Sequence, residues 1–495
     1  MHRPRTMKQK PNILWYCTDQ QRFDTISALG NHYIHTPNLD KFLTGGTAFT
    51  HAYCQSPICT PSRASFLTGM YPSAVSVNGN GIEKFPPYYQ DRLIPNILER
   101  FGYDCGLVGK LHLSSAALGQ EKRVADGYRY FQYSHDHKGP NKFGHNYAEW
   151  IRKRGEDPEL LMQKPVNASN YRDAESRRDF GGLYEPSATE DNIPRHLHQT
   201  FWCTDKAIDF IQKNRAIDQP WFLSVNPFDP HPPFDPPLFY YEKYNQQQLP
   251  GANFRNADLD HQKKLVDLGI DFQSKPKAPI GQQMKKIQAA YYAMIEQVDT
   301  EFGRLLDFLE RIGQRQNTIV IFMSDHGEML GDHGLFLKGC RFYEGLVRVP
   351  LIISYPEKYQ KSVISEALVE LVDLVPTLLD CIGLEKPFYL QGQSLHSLLS
   401  GYTTKHRQSV RCEFYGAIDY PDQTHATMYR DDRWKLVNYH RKDVCELYDL
   451  VEDPWEHEDL SEIPKWEKKK WELLTKSFDE TVLAHPPMSP RIQPY

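Results

Sequence analysis

The segment from Cys59 to Gly69 concentrates side chains that can act on an anion. It reads Cys-Thr-Pro-Ser-Arg-Ala-Ser-Phe-Leu-Thr-Gly. Thr60 is suited to be a helix N-cap, Pro61 to the first helical position and Gly69 to the end. Such a helix places Cys59 at its N-terminus, where backbone N–H groups favour an anion, and Arg63 one turn further on. The pattern indicates a site for a tetrahedral oxyanion, with a buried cysteine in an ordinary capped helix as the alternative.

Two apolar runs end at residues that can bind a metal ion. Residues 12–17 lead to Asp19, and residues 317–323 lead to Asp325 and His326. Continuous apolar runs of this length are typical of strands buried in a parallel sheet. Open α/β sheets bind ligands at the carboxyl ends of their strands. We therefore expect these acidic residues to lie at one edge of a sheet.

Two further strands are followed by basic residues. Residues 103–108 precede Lys110 and His112, and residues 221–225 precede a proline-rich loop that contains His231. Lys110 and His112 alternate, so both side chains project the same way if the segment is extended. Prolines fix the backbone around His231 and thereby its direction. The four strand ends together predict one rim that carries carboxylates, a lysine and histidines.

The order of these patterns predicts an α/β fold. We expect a large mixed, mostly parallel sheet covered by helices on both faces in residues 11–400. The clearest helix is residues 282–311, and residues 368–381 are predicted as a helix interrupted at Pro376. Residues 401–495 are predicted to form a smaller α+β subdomain with an antiparallel sheet: the runs 410–415, 426–430 and 434–439 alternate polar and apolar side chains as antiparallel strands do, and residues 464–482 are predicted as a terminal helix.

The composition excludes several classes of protein. A formal net charge of −5 over 495 residues argues against general nucleic-acid binding. No stretch approaches the roughly 18 apolar residues of a membrane span. The nine scattered cysteines show neither a zinc-ligand spacing nor a dense disulfide framework. The basic first eleven residues lack the apolar core of a signal peptide, so we expect a cytoplasmic protein, or a periplasmic one if a signal was removed.

Four motifs together resemble those of a known enzyme family. They are Cys-x-Pro-Ser-Arg with Leu-Thr-Gly at 59–69, Gly-Lys-x-His at 109–112, Pro-His-x-Pro-Phe at 230–234 and Asp-His at 325–326. The chain thereby resembles the type I, formylglycine-dependent sulfatases of the alkaline phosphatase superfamily, and is similar to bacterial polysaccharide sulfatases. The resemblance extends over residues 12–460 and implies an alkaline-phosphatase-like fold.

The resemblance implies a metal site. Its ligands are expected to be Asp19, Gln20, Cys59, Asp325 and His326. The commonest family form has two adjacent aspartates, whereas Gln20 offers an amide oxygen without a charge. The family usually holds Ca²⁺, which prefers such oxygen ligands. Mg²⁺ and Mn²⁺ are alternatives. The ring nitrogen of His326 makes a transition metal slightly more favourable than oxygen ligands alone would.

The resemblance also implies a mechanism. The catalytic residues are expected to be Cys59, Arg63, Lys110, His112, His231 and Lys338. In this family the cysteine is oxidised to formylglycine, whose hydrated aldehyde attacks sulfur, so Cys59 needs a formylglycine-generating or an anaerobic sulfatase-maturating enzyme as a partner. Lys110, Lys338 and Arg63 neutralise the sulfate oxygens. His231 or Lys338 protonates the departing alcohol, and His112 is the preferred base for the release of sulfate.

The function that this resemblance implies is hydrolysis of a sulfate ester. A sulfated carbohydrate is the expected substrate, because residues 135–195 form a long polar stretch and the likeness is to polysaccharide sulfatases. One alternative is a phosphonate monoester or phosphodiester hydrolase of the same superfamily, since such relatives share the pattern of Gln20 and His326. A catalytically silent, carbohydrate-binding relative is the other.

A few polar residues outside these motifs are interpreted one by one. Arg172, Arg177 and Arg178 can meet neighbouring sulfates on a polymer, with solvated surface as the alternative interpretation. Asn78 follows the signature helix in a glycine-rich turn and can line the pocket. His333 is interpreted as a structural loop residue.

Overall fold

A mixed sheet is the central element of the protein. The computed structural model describes residues 10–117, 119–135, 145–163, 193–215, 219–245, 248–270, 272–279, 281–418 and 423–484. Over these residues the sheet has nine strands in the order β4-β3-β5-β1-β6-β8-β2-β7, with β9 paired to β2. The strands are β1 (Asn12–Thr18), β2 (Thr47–Tyr53), β3 (Asp104–Gly109), β4 (Tyr130–Tyr133), β5 (Trp221–Asn226), β6 (Thr318–Ser324), β7 (Arg348–Val349), β8 (Leu351–Ser354) and β9 (Val363–Glu370).

Most strands of this sheet run in the same direction. Each neighbouring pair from β4 through β3, β5 and β1 to β6 is parallel. The strand β8 is antiparallel to both β6 and β2, β7 is antiparallel to β2, and β9 is parallel to β2. Every residue of β1, β5 and β6 is buried, as their apolar sequences predict for strands covered on both faces. The predicted mixed, mostly parallel sheet is confirmed.

Helices cover both faces of the sheet. They are α1 (Pro37–Thr44), α2 (Cys59–Thr68), α3 (Ile94–Arg100), α4 (Asn146–Lys153), α5 (Pro158–Gln163), α6 (Gln199–Arg215), α7 (Leu238–Asn245), α8 (Asn256–Asp267), α9 (Gln282–Arg311), α10 (Glu344–Val347), α11 (Leu374–Ile382), α12 (His396–Leu399) and α13 (Glu467–Leu483). Side chains of β1 alternate between two cores. Trp15 belongs to the core formed with α2, α3 and α11, and Tyr16 to the core formed with α6 and α9.

The predicted helix over residues 368–381 is wrong in its first part. Leu368 to Glu370 belong to strand β9, and the helix begins only at Leu374. Pro376 is the third residue of α11, where the backbone N–H has no partner within the helix, so the proline does not interrupt it. A run rich in Leu and Val fits a buried strand and a helix equally well, which is why its pattern misleads.

A second, antiparallel sheet follows in the sequence. Its strands are β10 (Val410–Tyr415), β11 (His425–Arg430), β12 (Trp434–Tyr439) and β13 (Val444–Asp449), paired in that order. One face packs on the core shared with α2 and α11, and the other face packs on α13. The predicted small sheet and terminal helix are confirmed, with β13 as an additional strand. The domain boundary at 400/401 stays a prediction. None of the helices in the described ranges has the length and apolar composition needed to cross a bilayer.

Candidate active site

The carboxyl ends of four adjacent parallel strands form one rim. These strands are β3, β5, β1 and β6, and backbone hydrogen bonds continue between the segments that leave them. The amide of Lys110 donates to Asn226 O at 2.9 Å, that of Asp19 to Asp229 O at 3.2 Å, and that of Asp325 to Thr18 O at 3.3 Å. Residues that are far apart in the sequence are therefore held side by side.

The helix α2 brings Cys59 to this rim. The helix begins at Cys59, so the prediction that Thr60 is the N-cap and Pro61 the first helical residue is wrong. Instead, Asn80 Oδ1 accepts hydrogen bonds from the Thr60 amide at 3.3 Å and from its hydroxyl at 3.1 Å. The helix ends as predicted at Gly69, which has φ +69°. The start of the helix is therefore hydrogen-bonded by Asn80, which lies in a loop after the helix, whereas the local sequence predicted that Thr60 itself would cap the helix.

Four predicted metal ligands converge at this point. The ligand atoms of Asp19, Cys59, Asp325 and His326 all lie within 4.8 Å of one another, and all four residues are buried. His326 Nε2 lies 3.1 Å from Cys59 Sγ, 3.9 Å from Asp19 Oδ1 and 3.8 Å from Asp325 Oδ1. His326 Nδ1 lies 2.9 Å from the Gly327 carbonyl and donates to it, so Nε2 is the ring nitrogen that faces the cluster, where it also lies 3.2 Å from Lys338 Nζ.

Gln20 is held so that its amide oxygen is free to bind a cation. Its backbone has φ +67°, and its amide N–H donates to Asp325 Oδ1 at 3.1 Å. The side-chain NH₂ donates to Glu328, whereas Oε1 is buried and accepts no hydrogen bond within the described residues. The Tyr291 hydroxyl donates to Gln20 O at 2.7 Å and accepts from the Arg22 amide at 2.9 Å. An orphaned buried oxygen beside carboxylates fits a divalent cation.

Two lysines face the same cysteine. Lys338 Nζ lies 2.7 Å from Cys59 Sγ, and Lys110 Nζ lies 3.9 Å from it and also pairs with Asp19. Burial and Asp19 raise the pKa of the Cys59 thiol, but Lys110, Lys338 and His326 outweigh them and bring the pKa below its ordinary value. The position of Sγ is therefore strongly favourable for negative charge.

Arg63 fixes the two carboxylates. Its Nε donates to Asp325 Oδ2 at 2.8 Å, and one terminal nitrogen lies 3.5 Å from Asp19 Oδ2. The other terminal nitrogen donates to Lys110 O at 3.1 Å. Burial opposes ionisation of Asp19, but Lys110, His231 and Arg63 hold the pKa of that carboxyl well below its ordinary value. Both carboxylates therefore have a geometry that is set before any cation binds.

His231 lies on the rim with one ring nitrogen already engaged. Its Nδ1 lies 2.7 Å from Pro232 O and donates to it, and its ring packs on Phe228 at 4.5 Å. Lys110 Nζ is 5.3 Å from the same phenylalanine ring. Burial, with Lys338 nearby, holds the pKa of His231 well below its ordinary value. The ring is neutral at pH 7, and its Nε2 is an acceptor.

The segment after Lys110 is not extended as predicted. His112 has φ +55°, in the left-handed region that non-glycine residues rarely adopt. A buried carboxylate, Glu121, accepts three successive backbone amides, from His112 at 2.7 Å, Leu113 at 2.8 Å and Ser114 at 3.1 Å. No motif marks Glu121 in the sequence, because its role depends on a turn that only the folded chain shows.

The side chain of His112 is buried. Its ring packs edge-on against His135 at 4.5 Å, and its Nδ1 is buried without a hydrogen bond among the residues described. Burial and Lys110 hold the pKa of His112 well below its ordinary value, so the ring is neutral. Across the described part of the chain no hydrogen bond joins His112 to Cys59. Its predicted role as a base stays a prediction.

Of the remaining residues singled out in the sequence, some lie within the described ranges and some do not. Arg172, Arg177 and Arg178 lie outside the described residues. Asn78 is half-buried, and its Oδ1 is buried without a hydrogen bond within the described ranges, so its place in the pocket stays a prediction.

Comparison with known proteins agrees with this geometry. A family model described as Sulfatase matches residues 11–384, and one described as N-sulphoglucosamine sulphohydrolase, C-terminal, matches residues 331–481. An arylsulfatase of Clostridium perfringens is 31% identical over 90% of this chain and 89% of its own length. An N-acetylglucosamine-6-O-sulfatase of Bacteroides thetaiotaomicron is 27% identical over 94% and 85%. The structure of a phosphonate monoester hydrolase of Agrobacterium radiobacter shares the fold, with a TM-score of 0.78 and 24% identity over 97% of this chain and 100% of that one. The chain belongs to the sulfatase family of sulfuric ester hydrolases.

Proposed function

We propose that this sulfatase removes sulfate from a sulfated carbohydrate, with a nucleophile derived from Cys59 and a bound divalent cation. The observation that carries the proposal is the convergence of three basic side chains around Cys59 Sγ and the two neighbouring carboxylates. The basic residues are Lys110, Lys338 and Arg63, and the carboxylates are those of Asp19 and Asp325. The carbohydrate is supported by the relative that acts on N-acetylglucosamine-6-O-sulfate, as its name states. The long polar stretch of residues 135–195 is consistent with an extended substrate.

The nucleophile is an oxygen supplied by residue 59 after its conversion to formylglycine. The Cys-Thr-Pro-Ser-Arg sequence is the support for that conversion, and a formylglycine-generating or anaerobic sulfatase-maturating enzyme is the partner it needs. Cys59 Sγ marks where that oxygen would lie, at the N-terminus of α2 and close to Lys338. Peptide mass analysis of protein from a host that contains a maturating enzyme tests this step.

The cation is Ca²⁺ in this proposal, with Mg²⁺ and Mn²⁺ as alternatives. Asp19, Asp325 and the Gln20 amide oxygen are hard ligands, and His326 Nε2 adds a nitrogen. When bound, the cation supplies charge stabilisation for the sulfate oxygens. The side-chain NH₂ group of Gln20 donates to Glu328, and this hydrogen bond fixes the direction of the Gln20 amide oxygen, the neutral ligand.

The basic side chains bind and stabilise the sulfate group. Lys110 and Lys338 are buried and face Cys59 Sγ from separate segments, and Arg63 holds both carboxylates in place. Buried cations act in a medium of low dielectric constant, where their interaction with developing negative charge is stronger than in water. These groups are positioned before substrate arrives.

Proton transfer follows from the hydrogen bonds of the free protein. The ring of His231 is neutral, and its single N–H proton lies on Nδ1 and is donated to Pro232 O. Its Nε2 therefore carries no proton that could be transferred to the leaving alcohol. Lys338 carries N–H donors beside Cys59, so we assign protonation of the leaving alcohol to Lys338. The neutral ring of His112 is the proposed base that assists release of sulfate. Lys338→Ala should slow esters of poorly acidic alcohols far more than 4-nitrophenyl sulfate, whereas an equal loss for both would contradict this assignment.

The decisive experiment compares two substrate classes with one preparation of the converted protein. We expect faster desulfation of sulfated monosaccharides, measured by chromatography, than hydrolysis of an aryl phosphonate ester, and no turnover of either by Cys59→Ala. Preference for the phosphonate would support the alternative, a phosphonate monoester or phosphodiester hydrolase; a phosphonate monoester hydrolase of Agrobacterium radiobacter shares this fold. Carbohydrate binding without turnover, with Cys59 converted, would support a silent relative.

A further inference from the structure

A second cluster of metal-binding side chains lies apart from the active site. Asp258 near the start of α8, His333 in the loop after β6 and His457 between β13 and α13 bring their ligand atoms within 4.8 Å of one another. His457 Nδ1 is 3.0 Å from Asp258 Oδ1, and His333 Nδ1 is 3.7 Å from the same oxygen. Asp258 and His333 are buried and His457 is half-buried. None of the three belongs to the set around Cys59.

The side chains are held in this arrangement by contacts of their own. His333 has φ +54°, its amide donates to Asn253 O at 3.0 Å, and its ring stacks flat on Tyr343 at 3.8 Å. Asp258 Oδ2 accepts the Arg255 amide at 2.7 Å and lies 3.1 Å from His457 Nδ1, so the carboxylate is held in a fixed orientation toward the histidines. A left-handed backbone at a non-glycine residue is unfavourable and persists only where surrounding structure holds it.

Hydrogen bonding accounts for the approach of His457 to Asp258, whose two oxygens lie 3.0 and 3.1 Å from His457 Nδ1, but not for the approach of His333. At 3.7 Å, His333 Nδ1 is too far from Asp258 Oδ1 for a hydrogen bond, although both atoms are buried. Two ligands on a tetrahedral ion with bonds of about 2.1 Å lie about 3.4 Å apart. The observed separations of 3.0 and 3.7 Å fall on either side of that value. Shifts of about 0.3–0.4 Å in the two histidines relative to Asp258 would bring both separations to that value.

We propose that Asp258, His333 and His457 form a zinc site that fastens the C-terminal segment to the catalytic core. Two imidazole nitrogens and one carboxylate oxygen are ligands that Zn²⁺ prefers, whereas Ca²⁺ and Mg²⁺ prefer oxygen alone. Three protein ligands leave a fourth position for water. His333 lies five residues before Lys338, so the ion would also brace the loop that delivers this lysine to Cys59.

The test measures zinc content and does not depend on turnover. The full chain is treated with a chelator, reloaded with excess Zn²⁺, desalted and analysed by mass spectrometry of the metal. His457→Gln keeps a donor for Asp258 but removes a strong metal ligand, and His35→Gln is the matched control because His35 is exposed. We expect His457→Gln to hold one zinc fewer per chain than the wild-type protein and the control. Any zinc bound at the Cys59 cluster is common to all three and cancels.

A second measurement covers the case in which the substitution perturbs folding. Zn²⁺ should raise the unfolding temperature of the wild-type protein and of His35→Gln, and the increase should be smaller in His457→Gln and in Asp258→Asn. Equal zinc content in His457→Gln and wild type, or equal thermal shifts in all variants, would overturn the proposal and leave the cluster as a hydrogen-bonded contact between segments.

Discussion

The carboxylate of Glu121 offers the sharpest test of how the active-site loop is held. One of its oxygens accepts the His112 amide, and the other accepts the amides of Leu113 and Ser114. In Glu121→Gln one oxygen becomes an NH₂ group, which cannot accept. The side chain loses fewest hydrogen bonds if the NH₂ group replaces the oxygen that serves His112. The substitution should therefore leave that one amide unpaired and preserve the other two.

The expected magnitude follows from that single lost partner. A buried N–H without an acceptor costs about 1–3 kcal/mol, against a total stability of about 5–15 kcal/mol, so the variant should still fold. His112 would then relax from its left-handed conformation, which is unfavourable by about 1–3 kcal/mol. A displacement of a catalytic group by about 1 Å reduces rate about a hundredfold. Because His112 is assigned to the release of sulfate, after the alcohol has departed, we expect kcat and KM to fall together by about that factor, with little change in kcat/KM.

The assay pairs kinetics with stability. Hydrolysis of 4-nitrophenyl sulfate gives kcat and KM, and urea unfolding followed by circular dichroism gives the free energy of unfolding. Glu83→Gln is the control, since Glu83 is exposed and forms an ion pair with Lys122 at the surface. If Glu121→Gln loses about 1–3 kcal/mol of stability yet keeps the wild-type kcat, the carboxylate holds the turn but the position of His112 does not matter for turnover.

Three further predictions test other parts of the structure. Arg63→Ala should lower the free energy of unfolding by about 3–5 kcal/mol in urea titrations, because Asp325 would stay buried without its arginine partner, whereas Asp19 keeps its pair with Lys110; a loss no larger than that of the surface variant Arg100→Ala would contradict this. Removal of divalent cations with a chelator should abolish turnover and added Ca²⁺ should restore it, so full turnover by protein shown to be free of metal would argue against the cation site. Burial, with Arg348 and Arg430 nearby, lowers the pKa of His51 to about 3, so below the unfolded value of about 6.5 only the unfolded chain takes up a proton there. The contribution of His51 to stability should therefore be fully present above about pH 6.5 and be lost by about 1.4 kcal/mol per pH unit between about pH 6.5 and about pH 3. Stability should fall less steeply over this range in His51→Gln, and an unchanged slope in that variant would refute the assignment.

Much of the fold could be predicted because its signals are local. The helix Gln282–Arg311 was defined to the residue by its apolar spacing, and the buried strands by their apolar runs. Their parallel order follows from the connections between them and brings Asp19, Lys110 and Asp325 to one rim.

Other features depend on contacts between distant segments and have no local pattern. Asn80 caps a helix that starts twenty-one residues earlier, so the sequence around Thr60 misplaces the start. Glu121 and Glu328 read as ordinary acidic residues, although each is buried and holds part of the site. Long-range hydrogen bonds of this kind require the backbone path, which apolar periodicity does not specify.

Tyr291 in the long helix α9 limits how this enzyme can be stabilised by redesign. Tyr291 occupies a position that apolar spacing marks as interior, yet its hydroxyl serves the carbonyl of Gln20 and the amide of Arg22. Phenylalanine, commonly chosen for such an interior position, would keep the shape and leave both backbone groups without a partner beside the cation-binding loop. A thermostable version obtained through that exchange would gain nothing useful if the loop lost its conformation.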